Sequence, residues 1–300
     1  AFAVATALAW IVESPIIMML SASNALVRDG VAYRKLRKFS TVLNIAVTAI
    51  MAALIAPPVF DLIARGLMGL SPDVAGLAGR SMIFLLLWPG AIGFRRFYQG
   101  ILISDGRPQA VTWGTVIRLA AMAATGLTLA LVFRLPGASV GAGALGIGVI
   151  AEAAASWFMA RPTVRRLRRQ PDADCDFGRG LTQASVLRFY VPLALTSIMS
   201  FFINPLTTFF LARGRMPLES LAVLPVVTGL AFVFRTAGIA MQEVVIALAG
   251  EGEANRRLLA RFTLRTGAAA TAVFGLFVFT PLATVWYGTV SGLSPELTAF

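Results

Sequence analysis

The sequence predicts an all-α fold, a polytopic bundle of about eight membrane-spanning helices, on three observations. Of the 300 residues, 58% are hydrophobic and only 13% are charged, where a soluble domain carries about 25% charged residues; the mean hydropathy is +0.80. Apolar runs of about 20 residues, the length that crosses a hydrocarbon core, recur along the chain and leave no stretch for a separate soluble core. Between them, dense and sparse basic loops alternate, as topology signals do.

The apolar runs are 1–27, 39–64, 80–103, 110–132, 142–160, 185–211, 220–249 and 262–287. The odd-numbered loops hold 17 Lys and Arg residues, among them Arg28, Arg34, Lys35, Arg37 and Lys38 in the first, whereas the even-numbered loops hold 5: Arg65, Arg80, Arg134, Arg213 and Arg215. The odd loops are therefore expected on the cytoplasmic side of a bacterial inner membrane. Span one then runs from outside to inside. Residue 1 is an alanine within an apolar segment, with no basic region before it, so we expect a fragment whose parent has a further helix upstream.

Histidine is absent and Cys175 is the single cysteine, which removes Ser-His-Asp and Cys-His nucleophiles, histidine metal sites and disulfides. The expectation is a protein that is not an enzyme and holds no cofactor beyond a coupling Na+ or H+. The net charge of +12 lies between apolar spans and not on one soluble face, so it speaks for the bilayer as partner and against nucleic acid. The glycine-rich GASVGAGALGIGV lacks the lysine of a phosphate-binding loop and fits close helix packing.

Two lobes are expected: 1–160 with five spans, a basic linker at 161–184, and 185–300 with three spans. An internal repeat supports them. Pro58 pairs with Pro281, and Gly69-Leu70-Ser71-Pro72-Asp73 with Gly292-Leu293-Ser294-Pro295-Glu296, at one offset of 223 residues. Glu13 aligns with Glu243 once a shorter basic loop is allowed for. A parallel repeat of this kind relates the halves of many transporters, and it predicts a six-plus-six parent.

Charges at membrane depth cost about 2.5–3.5 kcal/mol on insertion scales, and those that persist commonly face a cavity or one another. Glu13 precedes Ser14-Pro15, where proline frees backbone carbonyls. Glu152 is followed by small residues, and Glu243 lies eight residues after Arg235, about two turns away on a similar face. Arg118 lies about eight residues into span four, and Arg95 and Arg96 follow the Pro89-Gly90 bend of span three. Each has a structural alternative: a carboxylate hydrogen-bonded in the bundle, an Arg–Glu pair, or an arginine reaching the interface. Read functionally, Arg95, Arg96, Arg118 and Arg235 are substrate-binding and Glu13, Glu152 and Glu243 couple ions. Four arginines against three glutamates favour an anionic solute.

The stretches FRRFYQGILISDGRPQAVTWGTVIRLAAMA, LPGASVGAGALGIGVIAEAAASWFMARPTVRRLRR and SVLRFYVPLALTSIMSFFINPLTTFFLARG resemble the progressive ankylosis family. Those membrane transporters are related to the multidrug and toxic compound extrusion (MATE) proteins of the MOP flippase superfamily. The resemblance implies two six-helix lobes around a central cavity with alternating access, this chain covering helices two to nine, and roles for Arg118, Glu152 and Pro192. It further implies efflux of organic anions or drug-like solutes, driven by an ion gradient, by a protein we expect to be monomeric. The alternatives are a flippase for a lipid-linked precursor and, from other classes, an integral membrane transferase or a structural membrane protein.

Overall fold

The computed structural model describes residues 1–172, 175–211, 214, 216–248 and 253–294, and among them there is no strand. The helices are α1 (Phe2–Glu13), α2 (Met19–Leu26), α3 (Gly30–Ile55), α4 (Pro57–Asp61), α5 (Pro72–Phe84), α6 (Trp88–Ser104), α7 (Pro108–Leu131), α8 (Gly137–Arg169), α9 (Asp176–Gly180), α10 (Gln183–Leu211), α11 (Pro217–Leu248), α12 (Glu253–Val278) and α13 (Leu282–Thr284). Among the described residues seven helical stretches are long and apolar enough to cross a membrane, and eight if the bent pair Asn255–Val278 and Leu282–Val290 forms one span. The chain is an all-α integral membrane protein.

Proline sets many of the helix starts. Pro57, Pro72 and Pro108 open α4, α5 and α7, and Pro89 lies in the first turn of α6, where its missing N–H forfeits no helical bond. Span one is broken at Pro15, which sits in the short turn Ser14–Ile16 between α1 and α2. Span three breaks at 85–87, just before Pro89, and not at Pro89-Gly90 itself. Pro162 by contrast lies inside α8, and that helix runs on to Arg169. Contacts beyond the proline hold the extension: Thr163 and Arg166 both donate to the Asp105 carboxylate, and Arg168 lies over the Tyr33 ring at 5.6 Å.

Likewise α3 begins at Gly30, nine residues before its apolar run, because Asp29 caps it by accepting from the Ala32 N–H at 2.8 Å. The same carboxylate accepts from the Gly178 N–H at 2.7 Å, and Lys35 donates to the carbonyls of Gly178 (2.9 Å) and Leu181 (2.6 Å). The basic segment after α8 is thereby fastened to the start of α3. Cys175 is fully buried within it.

The chain divides into two compact units, Ala1–Phe201 and Phe202–Phe300. In the first, one cluster of buried side chains gathers Met19, Tyr33, Leu36, Phe97, Ile101 and Tyr190, and a second gathers Ile16, Met51, Phe60, Met82, Trp88 and Val149. Helix α8 packs through glycine: a Cβ on Gly146 would stand 2.5 Å from the Phe84 carbonyl oxygen, and one on Gly148 2.3 Å from the Met122 side chain. The glycine-rich run is a packing surface. In the second unit Phe234 of α11 meets Phe274 and Phe277 of α12 at ring separations of 5.1 and 6.2 Å.

Each unit contains the same unusual local structure at the repeated sequence. A π-helical turn covers Leu62–Leu67 in the first and Val285–Val290 in the second. It is closed by Met68 N–H to Ile63 O (2.9 Å) in one and Ser291 N–H to Trp286 O (2.8 Å) in the other. Gly69 and Gly292 follow with φ of 64° and 67°, a conformation that glycine adopts without a Cβ clash. Every one of these pairs is separated by the offset of 223 residues read from the sequence.

Candidate functional site

Three of the sequence-selected residues converge in the first unit. Glu152, near the middle of α8, is 1% exposed. Its Oε2 accepts from Arg95 of α6 and lies 3.5 Å from a guanidinium nitrogen of Arg118 of α7, while its Oε1 accepts from Gln99 Nε2 at 3.0 Å. Arg95 and Gln99 are one turn apart on α6, so one helix face presents both donors. Gly114 on α7 lets the Glu152 stem approach closely: a Cβ there would already touch Glu152 Cγ at 3.5 Å and Ser156 Oγ at 3.6 Å.

The two arginines are not equivalent. The Arg95 side chain is 7% exposed and the Arg118 side chain 32%. Buried Arg95 is the tighter partner, whereas Arg118 shares the carboxylate at longer range and keeps part of its guanidinium accessible. Arg95 Nε, Arg118 Nε and Ser156 Oγ are buried without a hydrogen-bond partner, so the cluster has donors beyond those that Glu152 satisfies.

Glu13, at the end of α1, is also buried and accepts a hydrogen bond from the indole N–H of Trp88. The charges of Arg96 and Arg95 act on it. The Ile11 carbonyl that Pro15 frees is covered by Ser14 Oγ, which donates to it at 2.8 Å, and at the same break the Tyr190 hydroxyl donates to Pro15 O at 2.7 Å. Among the selected residues of the first unit, three arginines (Arg95, Arg96 and Arg118) stand against two glutamates (Glu13 and Glu152), a formal excess of one positive charge. Pro192 lies in α10, where its carbonyl accepts from Thr196 Oγ1 at 2.9 Å.

Arg235 and Glu243 lie on α11 in the second unit, Arg235 exposed and Glu243 half-buried. Trp88 and Gln99 complete the site but were not selected from the sequence. Gln99 is readable in retrospect as the residue one turn beyond Arg95; Trp88 carries no comparable signal.

A groove of about 650 Å³ runs between α3 and α6, lined by Arg37, Asn44, Thr48, Phe94 and Tyr98 among others, and none of the seven selected residues lines it. Among the described residues no group of three or more His, Cys, Asp or Glu side chains could hold a metal ion. The chain matches no protein-family model and no curated protein.

Proposed function

We propose that this protein is a secondary active transporter that exports an organic anion or drug-like solute by alternating access across a bacterial inner membrane, coupled to H+ or Na+. One observation carries the reading. A carboxylate, Glu152, is held between two arginines of different helices at membrane depth, with a positive charge in excess around it. Each buried ion costs several kcal/mol of desolvation, and the second arginine brings a charge that Glu152 alone does not neutralise. The excess cation suits a visiting anion, and Arg118, the more exposed and more weakly held partner, is the group that reaches it.

In this reading Arg95 and Arg96 set the local potential, and an anion that draws Arg118 away leaves Glu152 on Arg95 and Gln99. Glu152 is thus the element that ties solute occupancy to helix position, because α6, α7 and α8 meet on it. Glu13 is the cation-coupling carboxylate of the first unit, and Glu243 and Arg235 are assigned the coupling and solute-binding roles in the second. The resemblance to progressive ankylosis and MATE-type transporters agrees with this assignment.

Replacing Arg118 by Ala tests it. Transport of a labelled organic anion into proteoliposomes is expected to fall at least about tenfold, the loss of one charge-assisted contact being 1.5–3 kcal/mol or about 10- to 150-fold, while the variant still inserts and purifies in normal yield. Unchanged transport would reject the role of Arg118.

A further inference from the structure

The basic end of α3 carries a second site. Tyr33, Arg34, Arg37, Lys38 and Thr41, together with Arg168 of α8, line a cavity of about 680 Å³. Arg37 and Thr41 also line the groove between α3 and α6, so the cavity and the groove adjoin at these two residues. The charges there are not balanced. Arg34 pairs with Asp172 at 2.5 Å, and Arg168 leans on Tyr33, its guanidinium 3.4 Å from the phenol oxygen. Arg37 and Lys38 are exposed and have no ion pair among the described residues. Among the described residues, four cations against one carboxylate leave a formal excess of three positive charges.

Below this cavity the groove turns apolar, with Ile45, Ala49, Ala52, Leu87 and Phe94 as walls. From Arg37 to Ala52 the helix rises about 22 Å at 1.5 Å per residue, which exceeds the roughly 15 Å of one hydrocarbon leaflet. Arg37 and Lys38 stand just before the apolar part of α3, at the level where headgroups lie. A free anion would use only the upper cavity. A ligand with an anionic head and a long apolar tail uses both.

We propose that this is a binding site for one anionic phospholipid, with its phosphate among Arg37, Lys38 and Arg168 and an acyl chain in the groove between α3 and α6. The site shares no residue with the Glu152 cluster and does not depend on the transport reading. The lipid is held by charge complementarity at the headgroup and by burial of the tail, and neither contact alone gives selectivity together with affinity.

Native mass spectrometry of the full chain in detergent, titrated separately with phosphatidylglycerol, phosphatidylcholine and inorganic phosphate, tests the proposal. Phosphatidylglycerol is expected to bind at least about tenfold more tightly than phosphatidylcholine, given the contribution of each basic residue at an anionic headgroup. The double variant Arg37→Gln/Lys38→Gln is expected to lose that preference, while Arg80→Gln/Arg134→Gln, which removes the same net charge elsewhere, keeps it. Filling the groove with Ala49→Trp is expected to weaken binding of both lipids. Equal binding of the two lipids, a preference that survives in the first double variant or vanishes in the second, indifference to Ala49→Trp, or displacement of phosphatidylglycerol by millimolar phosphate would each overturn it. All four substituted basic residues and Ala49 are exposed, so the variants keep the packed interior intact.

Discussion

At Glu152 two large terms oppose each other. Withdrawing a carboxylate from water costs several kcal/mol, and the return comes only through Arg95, Gln99 and Arg118. Removing the carboxylate alone leaves Arg95 as an uncompensated buried cation and takes from Arg118 its partner. Glu152→Ala is therefore expected to destabilise the protein by about 3–5 kcal/mol, the range for breaking a buried pair from one side. The double variant Arg95→Ala/Glu152→Ala should lose less than the sum of the two single changes, with a coupling of about 0.5–3 kcal/mol. Equilibrium unfolding of the four purified proteins in detergent measures this, and strict additivity would mean that the pair carries no interaction energy. The burial of Glu13, Arg95 and Glu152 agrees with their depth in apolar runs, whereas Arg235, just as deep in its run, is exposed. Their partners were legible only in part: Glu152 meets Gln99 and Arg95 across 53 and 57 residues of chain, and hydropathy contains nothing about such distant pairings.

Among the elements, α8 is the one whose sequence most directly dictates its packing. Its glycines bring the backbone against the Phe84 carbonyl and the Met122 side chain, so a single methyl group is a sensitive probe. Gly146→Ala places a Cβ 2.5 Å from a backbone oxygen, where nothing flexible can yield, and is expected to cost about 1–3 kcal/mol by overpacking. Gly76, inside α5, has nothing within 4 Å of its Cβ position, and Gly76→Ala is expected to stabilise the protein by up to about 1 kcal/mol through helix propensity. Thermal unfolding of the two variants side by side should shift in opposite directions; a shared direction would mean that α8 and α5 are not packed as described. The same elements mark the limits of sequence reading. The apolar centres of the spans followed from hydropathy, but the ends of α3 and α8 did not. Those ends lie outside the apolar runs and are fixed by a cap at Asp29 and by contacts to Asp105 and Tyr33, which are tertiary facts. The paired π-turns were legible as punctuation at one offset, although not as π-helix, since that conformation depends on one inserted residue and not on residue type.

For the whole molecule, orientation is where sequence statistics make the sharpest claim that remains to be measured. The odd-numbered loops carry 17 basic residues and the even-numbered loops 5, and each Lys or Arg moved to the bilayer centre costs about 2.5–3.5 kcal/mol, so inverting the chain during insertion is opposed many times over. The chain suits a cysteine-accessibility measurement because its one native thiol, Cys175, is fully buried and supplies a silent background. Single cysteines at four exposed positions sample both sides: Asp73→Cys and Gly137→Cys on even-numbered loops, Gln109→Cys and Arg169→Cys on odd-numbered ones. A membrane-impermeant maleimide added to intact cells should label the first two directly and the last two only after permeabilisation. The alternation is itself the physical content, because each span reverses the side, and one span miscounted would place every later loop on the wrong face. If Asp73→Cys and Gln109→Cys were labelled from the same side, the stretch between them, 80–103 in the sequence and the broken helix pair α5–α6 in the structure, would enter and leave by one face as a re-entrant hairpin. The break at 85–87 would then be its tip, and the alternation of sides on which the proposed transport topology rests would fail from that point on.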